Sequence, residues 1–149
     1  MNKIKIYPPL FALLLILTMV ALHYTLPQPQ LISPPINALG FILIAGGMSM
    51  NLWSAAWFRK KRTTIDPHGN AIYLAQEGLY RVSRNPMYLG ITTAFLGLGL
   101  AFASPWLFVL TPVMAIALRK LAIEREERHL EARFGDAYRA YRRQVRRWL

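Results

Sequence analysis

The sequence predicts an all-α integral membrane protein with about four transmembrane helices and amphipathic cytoplasmic helices at its C-terminus. The chain of 149 residues is 54% hydrophobic, yet it carries a net charge of +11. No Asp, Glu, Lys or Arg occurs in residues 6–58 or in residues 85–118. Since a spanning helix needs roughly 20 apolar residues, the first uncharged block has room for two spans and the second for two short ones.

Prolines divide the two uncharged blocks into single helices. Four prolines between residues 27 and 35, and Ser104-Pro105 in the second block, are turn signals. The predicted spans are residues 8–26, 36–58, 86–103 and 105–120. Because the last span is short, we expect Arg119 and Lys120 to extend toward the lipid headgroups.

The basic residues predict the orientation of a single membrane domain over residues 1–149. All 18 Lys and Arg residues lie in the first five positions, in the loop at 59–85 or after residue 118. Four crossings place these segments on one side, which the positive-inside rule identifies as the cytoplasm. Both termini, the loop and helices over 121–149 are therefore expected there. The stretch MVALHYTLP lacks a clear cleavage motif, so we expect the first helix to be retained rather than removed as a signal peptide.

The C-terminal segment is basic and amphipathic. Its apolar residues recur mostly at intervals of three, four or seven, and Gly135 is expected to divide it into two helices. One interpretation is therefore a non-catalytic membrane protein whose basic C-terminal helix binds anionic lipid or a protein partner. Nucleic acid is not an expected partner, because the arginines alternate with acids and follow a span. The absence of cysteine excludes thiolate chemistry, and the isolated histidines predict no metal site.

Two consecutive carboxylates do not fit a purely interfacial helix. Glu126 and Glu127 flank the apolar stripe instead of lying opposite to it. A carboxylate held against apolar surface near lipid is costly unless a cation or a hydrogen-bond donor meets it. Arg84 and a cationic ligand are both candidates for that partner.

The stretch GLYRVSRNPMYLG, residues 78–90, places polar side chains where the third span begins. Asn85-Pro86 suits a helix start, because Asn caps helices well and Pro is tolerated in the first turn. Tyr88 has two interpretations. It is either an aromatic anchor at the interface, or part of a site that opens onto both water and lipid.

Three segments together resemble the integral-membrane methyltransferases related to isoprenylcysteine carboxyl methyltransferase and phospholipid methyltransferases. The segments are RTTIDP, GLYRVSRNPMYLG and EREERHLEARFGDAYRAYRRQVRRWL. The resemblance covers about the last 85 residues, with the blocks in the family's order around a helical hairpin. The matching residues are Gly78, Tyr80, Arg84, Asn85, Pro86, Tyr88, Gly90, Glu126, Glu127, Leu130, Phe134, Gly135, Tyr138 and Tyr141.

The resemblance implies S-adenosyl-L-methionine as cofactor, bound on the cytoplasmic side, and no metal. Carried over by position, Glu126, Glu127 and Arg84 are the implied catalytic residues. The implied cofactor contacts are Ile72, Tyr73, Leu74, Ala75, Tyr80, Asn85, Pro86, Met87, Tyr88 and Glu126. The expected activity is methyl transfer to a lipophilic small molecule or lipid at the membrane, and the expected location is a bacterial inner membrane.

One position departs from the family pattern. In the isoprenylcysteine enzymes an arginine that holds the substrate carboxylate precedes the glutamate pair by one helical turn. Ala122 stands at that position here. This departure weakens the case for a prenylcysteine carboxyl acceptor, and a carboxyl, an amine and a thiol all remain open as the group methylated.

Overall fold

The structure, a computed structural model, describes residues 8–26, 29, 32–61 and 73–149. Within these ranges every regular element is helical, as predicted. The six α-helices are α1 Pro8–Thr25, α2 Leu39–Lys60, α3 Pro86–Ala101, α4 Leu107–Leu118, α5 Glu124–Phe134 and α6 Asp136–Gln144. Single 3₁₀ turns, Ile36–Ala38 and Gly78–Arg81, precede α2 and α3.

Helices α2 and α3 pack closely through facing glycines. Gly40 and Gly47 on α2 are buried, as are Gly90 and Gly97 on α3. A Cβ atom added to Gly97 would lie 2.6 Å from the Gly40 carbonyl oxygen, so no larger residue fits at this spacing. Small residues allow helix backbones to approach in this way within a membrane, where lipid removes the hydrophobic drive for association. The close contact fixes the position of α3, which carries the start of the candidate site.

The apolar core joins α1, α3 and α4. Its buried members are Ala12, Leu15, Met19, Phe95, Leu110, Met114 and Leu118. A tight turn between α3 and α4 places Ala103 at φ +52, a backbone conformation that residues other than glycine rarely adopt. The turn makes the two helices antiparallel, so the end of α4 lies beside the start of α3.

A π-helical segment joins α4 to α5. It spans Arg119–Ile123, between the last turn of α4 and the first turn of α5. Such segments add residues to a helical turn and are frequent at functional sites. Arg119 and Lys120, which we expected to extend toward lipid headgroups, both pair with Glu124 at 3.0 and 3.3 Å. The helical path ends at Gly135, where φ is +52, and α6 then begins. The predicted break at Gly135 is thus present.

Membrane spanning is supported most directly by α2. Among the described residues, the helical stretch Ile36–Lys60 is the one that is long and apolar enough to cross a bilayer, and the apolar helices Leu10–Thr25 and Pro86–Ala101 are shorter. The expectation of four spans is therefore not confirmed as such. Most of the Ile36–Lys60 stretch is exposed within the protein, whereas an apolar core helix of a water-soluble protein would be buried.

The glycine packing yields a matched pair of variants. Gly47→Ala would place a Cβ atom 2.7 Å from the Ala94 nitrogen, whereas nothing lies within 4 Å of a Cβ at Gly46. We expect Gly47→Ala to lower the free energy of unfolding by about 1–3 kcal/mol through overpacking. Gly46→Ala should be neutral or stabilising by up to about 1 kcal/mol, because alanine favours helix. Denaturation in detergent micelles measures both; equal effects would show that α2 and α3 do not pack as described.

Candidate active site

The loop before α3 is shaped by a glycine and an aromatic cluster. Gly78 has φ +58, and a Cβ there would collide with the indole ring of Trp53. The chain then makes a 3₁₀ turn that buries Tyr80, whose ring lies 5.8 Å from that of Trp57. The Tyr141 hydroxyl of α6 donates a 2.6 Å hydrogen bond to the Tyr80 carbonyl oxygen. Tyr80 is therefore held between α2 and α6.

Helix α3 begins at Pro86, in the first turn as predicted. Asn85 precedes it but forms no side-chain cap, contrary to expectation. Instead the Asn85 side-chain amide donates to the Arg147 carbonyl oxygen at 3.1 Å. Asn85 and Pro86 are buried, whereas Met87 and Tyr88 are partly exposed.

Tyr88 and Glu126 meet across the junction of α3 and α5. The Tyr88 hydroxyl donates a 2.7 Å hydrogen bond to Glu126 Oε1. Burial raises the pKa of Glu126 to about 7, the Tyr88 hydrogen bond opposes that rise, and the charge of Glu127 adds to it. Among the described residues, the groups that shift this pKa include no cation. The carboxylate therefore lies in a desolvated position that a positively charged ligand would stabilise.

Burial also raises the pKa of Tyr80, and the charge of Glu126 adds to that effect. This electrostatic influence places Tyr80 in the neighbourhood of the carboxylate. The Tyr80 phenol therefore stays protonated and neutral at physiological pH. Of the predicted cofactor contacts, Tyr88 and Glu126 are thus in direct contact, and Tyr80 lies in the turn just before α3.

Glu127, the next residue, is in a different environment. Its carboxylate accepts two hydrogen bonds from Arg147, at 3.0 and 2.6 Å, and lies 3.2 Å from Arg84 Nη1. Arg84 also donates to the Tyr138 hydroxyl at 3.2 Å. Arg84, which the sequence offered as a candidate partner for this pair of carboxylates, therefore pairs with Glu127. Its Nε atom is buried and, within the described ranges, has no hydrogen-bond partner.

The remaining predicted cofactor contacts, residues 72–75, belong to the loop before α3. Ala75 is buried, Leu74 is half-buried, and the exposed Tyr73 donates a 2.9 Å hydrogen bond to Glu77. The Tyr73 ring lies 5.7 Å from that of Trp57, which links it to Tyr80. Ile72 lies outside the described residues.

Sequence reasoning missed Trp57 and Arg147. Trp57 lies at the end of an uncharged block, where an aromatic residue is ordinary at a membrane interface. Arg147 is one of several arginines in the C-terminal segment, and no spacing distinguishes it from its neighbours. Its contacts arise from a return of the chain end to the loop before α3.

Comparison with known proteins identifies the family. A family model described as phospholipid methyltransferase matches residues 36–137, more than half of the chain. The chain belongs to the phospholipid methyltransferase family. This result confirms the resemblance seen in the sequence and identifies the chain as a member of a membrane methyltransferase family. The matched range contains α2, the loop, and the α3–α5 elements that carry Tyr88 and Glu126.

One curated relative is an uncharacterized protein of Haemophilus influenzae. It is 40% identical over 65 residues, which are 42% of this chain and 100% of that protein. No solved structure matches the chain. The family assignment therefore rests on the family model.

Glu126 should give the unfolding free energy of the ligand-free protein a distinctive pH dependence. Its pKa rises from an ordinary 4.5 to about 7 in the fold, so between these values the folded state binds a proton that the unfolded state releases. Its contribution to stability is therefore present below pH 4.5 and is lost as the pH rises to about 7. We expect Glu126→Gln to flatten this part of the profile, measured by denaturation in detergent. An unaltered profile would show that Glu126 titrates normally.

The buried ion network around Glu127 should contribute more to the free energy of unfolding than the exposed ion pairs around Glu131. Glu127→Gln leaves the buried Arg84 without its counter-charge, and we expect a loss of about 3–5 kcal/mol in unfolding free energy. The control is Glu131→Gln, since Glu131 pairs with the exposed Arg139 and Arg142, and its loss should be below about 1 kcal/mol. Similar losses in the two variants would contradict the buried network.

Proposed function

We propose that this protein is an S-adenosyl-L-methionine-dependent methyltransferase that acts on a lipophilic acceptor at the membrane surface. The observation that carries the proposal is the partly buried carboxylate of Glu126, which accepts a 2.7 Å hydrogen bond from a phenol and which no described cation neutralises. If Glu126 had only a structural role, we would expect it to pair with a cationic side chain, as Glu127 does with Arg84 and Arg147. A cationic ligand supplies the missing charge, and membership of the methyltransferase family supports this particular ligand.

The residues fit the chemical groups of S-adenosylmethionine. The Glu126 carboxylate suits its ammonium group, with the charge-assisted hydrogen bonds that such pairs form. The faces of Tyr80 and Tyr88 suit its sulfonium, because aromatic faces attract cations. The buried, unpaired Nε of Arg84 is a donor for its carboxylate. The proposed cofactor contacts are those of the sequence prediction, with Ile72, Tyr73, Leu74 and Ala75 on the adenosyl side.

The protein's contribution to the reaction is mainly alignment. When bound, S-adenosylmethionine supplies an electrophilic methyl group on a positively charged sulfur. The residues at the start of α3 and α5 would hold the cofactor with that methyl group directed at the acceptor and would keep water away. Holding two reactants in the correct orientation lowers the reaction barrier. Glu127 and Arg84 support this arrangement by fixing the first turn of α5 against the loop at 83–85.

The helix surfaces support the proposed membrane setting. Large apolar side chains are exposed on several helices, including Leu13 and Leu17 on α1, Phe41 and Leu52 on α2, and Phe108 and Ile116 on α4. Exposed apolar surface of this extent marks a lipid-facing or partner-facing region. We infer that α1 to α4 form the predicted four spans of one membrane domain, with both termini and the candidate site on the cytoplasmic side of a bacterial inner membrane.

The acceptor would enter laterally from the bilayer, while the cofactor enters from the cytoplasm. Ala122 is buried, with only 6% of its surface exposed, and offers no charge for a substrate carboxylate. The acceptor atom is a nitrogen, an oxygen or a sulfur of a lipophilic molecule. Incubation of membranes with methyl-labelled cofactor, followed by identification of the labelled lipid-soluble product, tests the class directly.

Binding of S-adenosylmethionine to the purified protein in detergent tests the assignment. We expect measurable heat of binding for the wild type and at least about a tenfold weaker Kd for Glu126→Gln, on the order of 1.4 kcal/mol for one charge-assisted contact. The matched control is Glu131→Gln, a partly exposed glutamate on the same helix, which should bind as the wild type does. Isothermal titration calorimetry provides the measurement.

The outcomes separate the two functions that the sequence allows. No binding by the wild type would favour a non-catalytic protein that uses its basic C-terminal helix on anionic lipid or a partner. Equal affinity of the wild type and Glu126→Gln would remove Glu126 from the cofactor site. Binding without turnover would indicate a regulatory family member.

A further inference from the structure

The last residues of the chain return to the loop that precedes α3. Helix α6 ends at Gln144, and Val145 is extended, with φ −119 and ψ 132. The Arg84 backbone N–H then donates to the Arg146 carbonyl oxygen at 3.0 Å. The Ser83 hydroxyl and the Asn85 side-chain amide both donate to the Arg147 carbonyl oxygen, at 3.3 and 3.1 Å. Three consecutive residues are thus bonded to two backbone carbonyls from the chain end.

The Arg147 side chain makes the second half of the connection. Its guanidinium forms a two-point contact with Glu127, Nε to Oε1 at 3.0 Å and Nη2 to Oε2 at 2.6 Å. Glu127 is 11% exposed in its side chain, so this contact is well shielded from solvent. A bidentate contact of this kind fixes orientation as well as distance, since the planar guanidinium matches the carboxylate.

Arg147 therefore contacts both halves of the candidate site. Its backbone carbonyl holds Asn85, at the start of α3, and its side chain holds Glu127, which directly follows Glu126 on α5. Asn85 and Glu126, one in each half, are 41 residues apart in the sequence. Among the residues that the structure describes, the direct side-chain contacts between the two halves are the Tyr88–Glu126 hydrogen bond and the Arg84–Glu127 ion pair.

We propose that Arg147 is a positioning residue for cofactor binding. It sets the separation between Asn85, at the start of α3, and the Glu126 carboxylate, and it does not contact the ligand itself. The inference rests on the proposed function, because it assigns both groups to the same ligand. Ligand-binding groups on separate elements need support that holds them within about 0.5 Å of the productive geometry. The chain end supplies that support.

The test compares three variants in the full-length protein. Arg147→Gln removes the two-point contact, Arg147→Lys keeps the charge without the fork, and Arg146→Gln is the matched control. Arg146 is an exposed neighbour that contacts the Arg84 amide through its backbone carbonyl. We expect the Kd for S-adenosylmethionine to rise at least about tenfold in Arg147→Gln and by a smaller factor in Arg147→Lys. The control should stay within about twofold of the wild type.

Hydrogen exchange of the ligand-free protein provides a readout that does not depend on binding. Because the Arg84 amide is bonded to the chain end, Arg147→Gln should accelerate exchange in the peptide over residues 78–90 and leave α2 and α4 unchanged. Uniformly faster exchange through all helices, with matching loss of affinity in both Arg147 variants, would show a merely structural role and overturn the proposal. Arg147→Lys keeps the test readable if Arg147→Gln does not fold.

The failures of the two proposals are distinguishable. A wild type that binds S-adenosylmethionine, with an Arg147→Gln variant that binds it equally well, overturns the positioning role alone. A wild type that does not bind overturns the proposed function, and the positioning role falls with it. A selective loss of affinity in Arg147→Gln, with local exchange at residues 78–90, supports both.

Discussion

The contrast between two adjacent carboxylates at the beginning of α5 governs the structure around the candidate site. Glu127 is neutralised by Arg84 and Arg147, whereas Glu126 is bonded to the phenol of Tyr88 and stays desolvated, with its pKa raised to about 7. Consecutive helical residues differ in direction by about 100°, so one turn of α5 presents one carboxylate to an internal ion network and the other to Tyr88. Glu127 stabilises the fold through its ion pairs, whereas no described cation neutralises Glu126.

Packing in the helical bundle makes that contrast possible. The glycine faces of α2 and α3 bring these two helices into close contact, and the tight turn at Ala103 returns the chain as α4, antiparallel to α3. The end of α4 therefore lies beside the beginning of α3. The π-helical segment Arg119–Ile123 then determines the rotation with which α5 leaves α4, and hence which groups its first turn meets. A regular α-helix through this segment would direct the same glutamates elsewhere.

The fold was largely predictable because it depends on local patterns. Uncharged blocks divided by proline gave the positions of α1 to α4 within a few residues, and the glycine at 135 gave the division between α5 and α6. The number of helices that cross a bilayer was less accessible, since α3 and α4 are shorter than a full span. Within the candidate site, Tyr88 and Glu126 were both predicted as cofactor contacts, and Arg84 was predicted as a candidate partner for the two glutamates without a choice between them. Spacing along a helix does not distinguish which of two adjacent carboxylates an arginine from another element will reach.

By itself, the sequence determined the helical class, the segregation of charge from apolar segments, the family and the residues that carry its motifs. These features are encoded in composition and in periodicities of a few residues, so they need no knowledge of distant contacts. Tertiary structure alone decided that Glu127 belongs to the ion network and Glu126 to Tyr88, and that the chain end binds residues 83–85. The reason is physical: the pairing of buried charges depends on which groups share a desolvated space, and that is fixed only when helices far apart in sequence have packed.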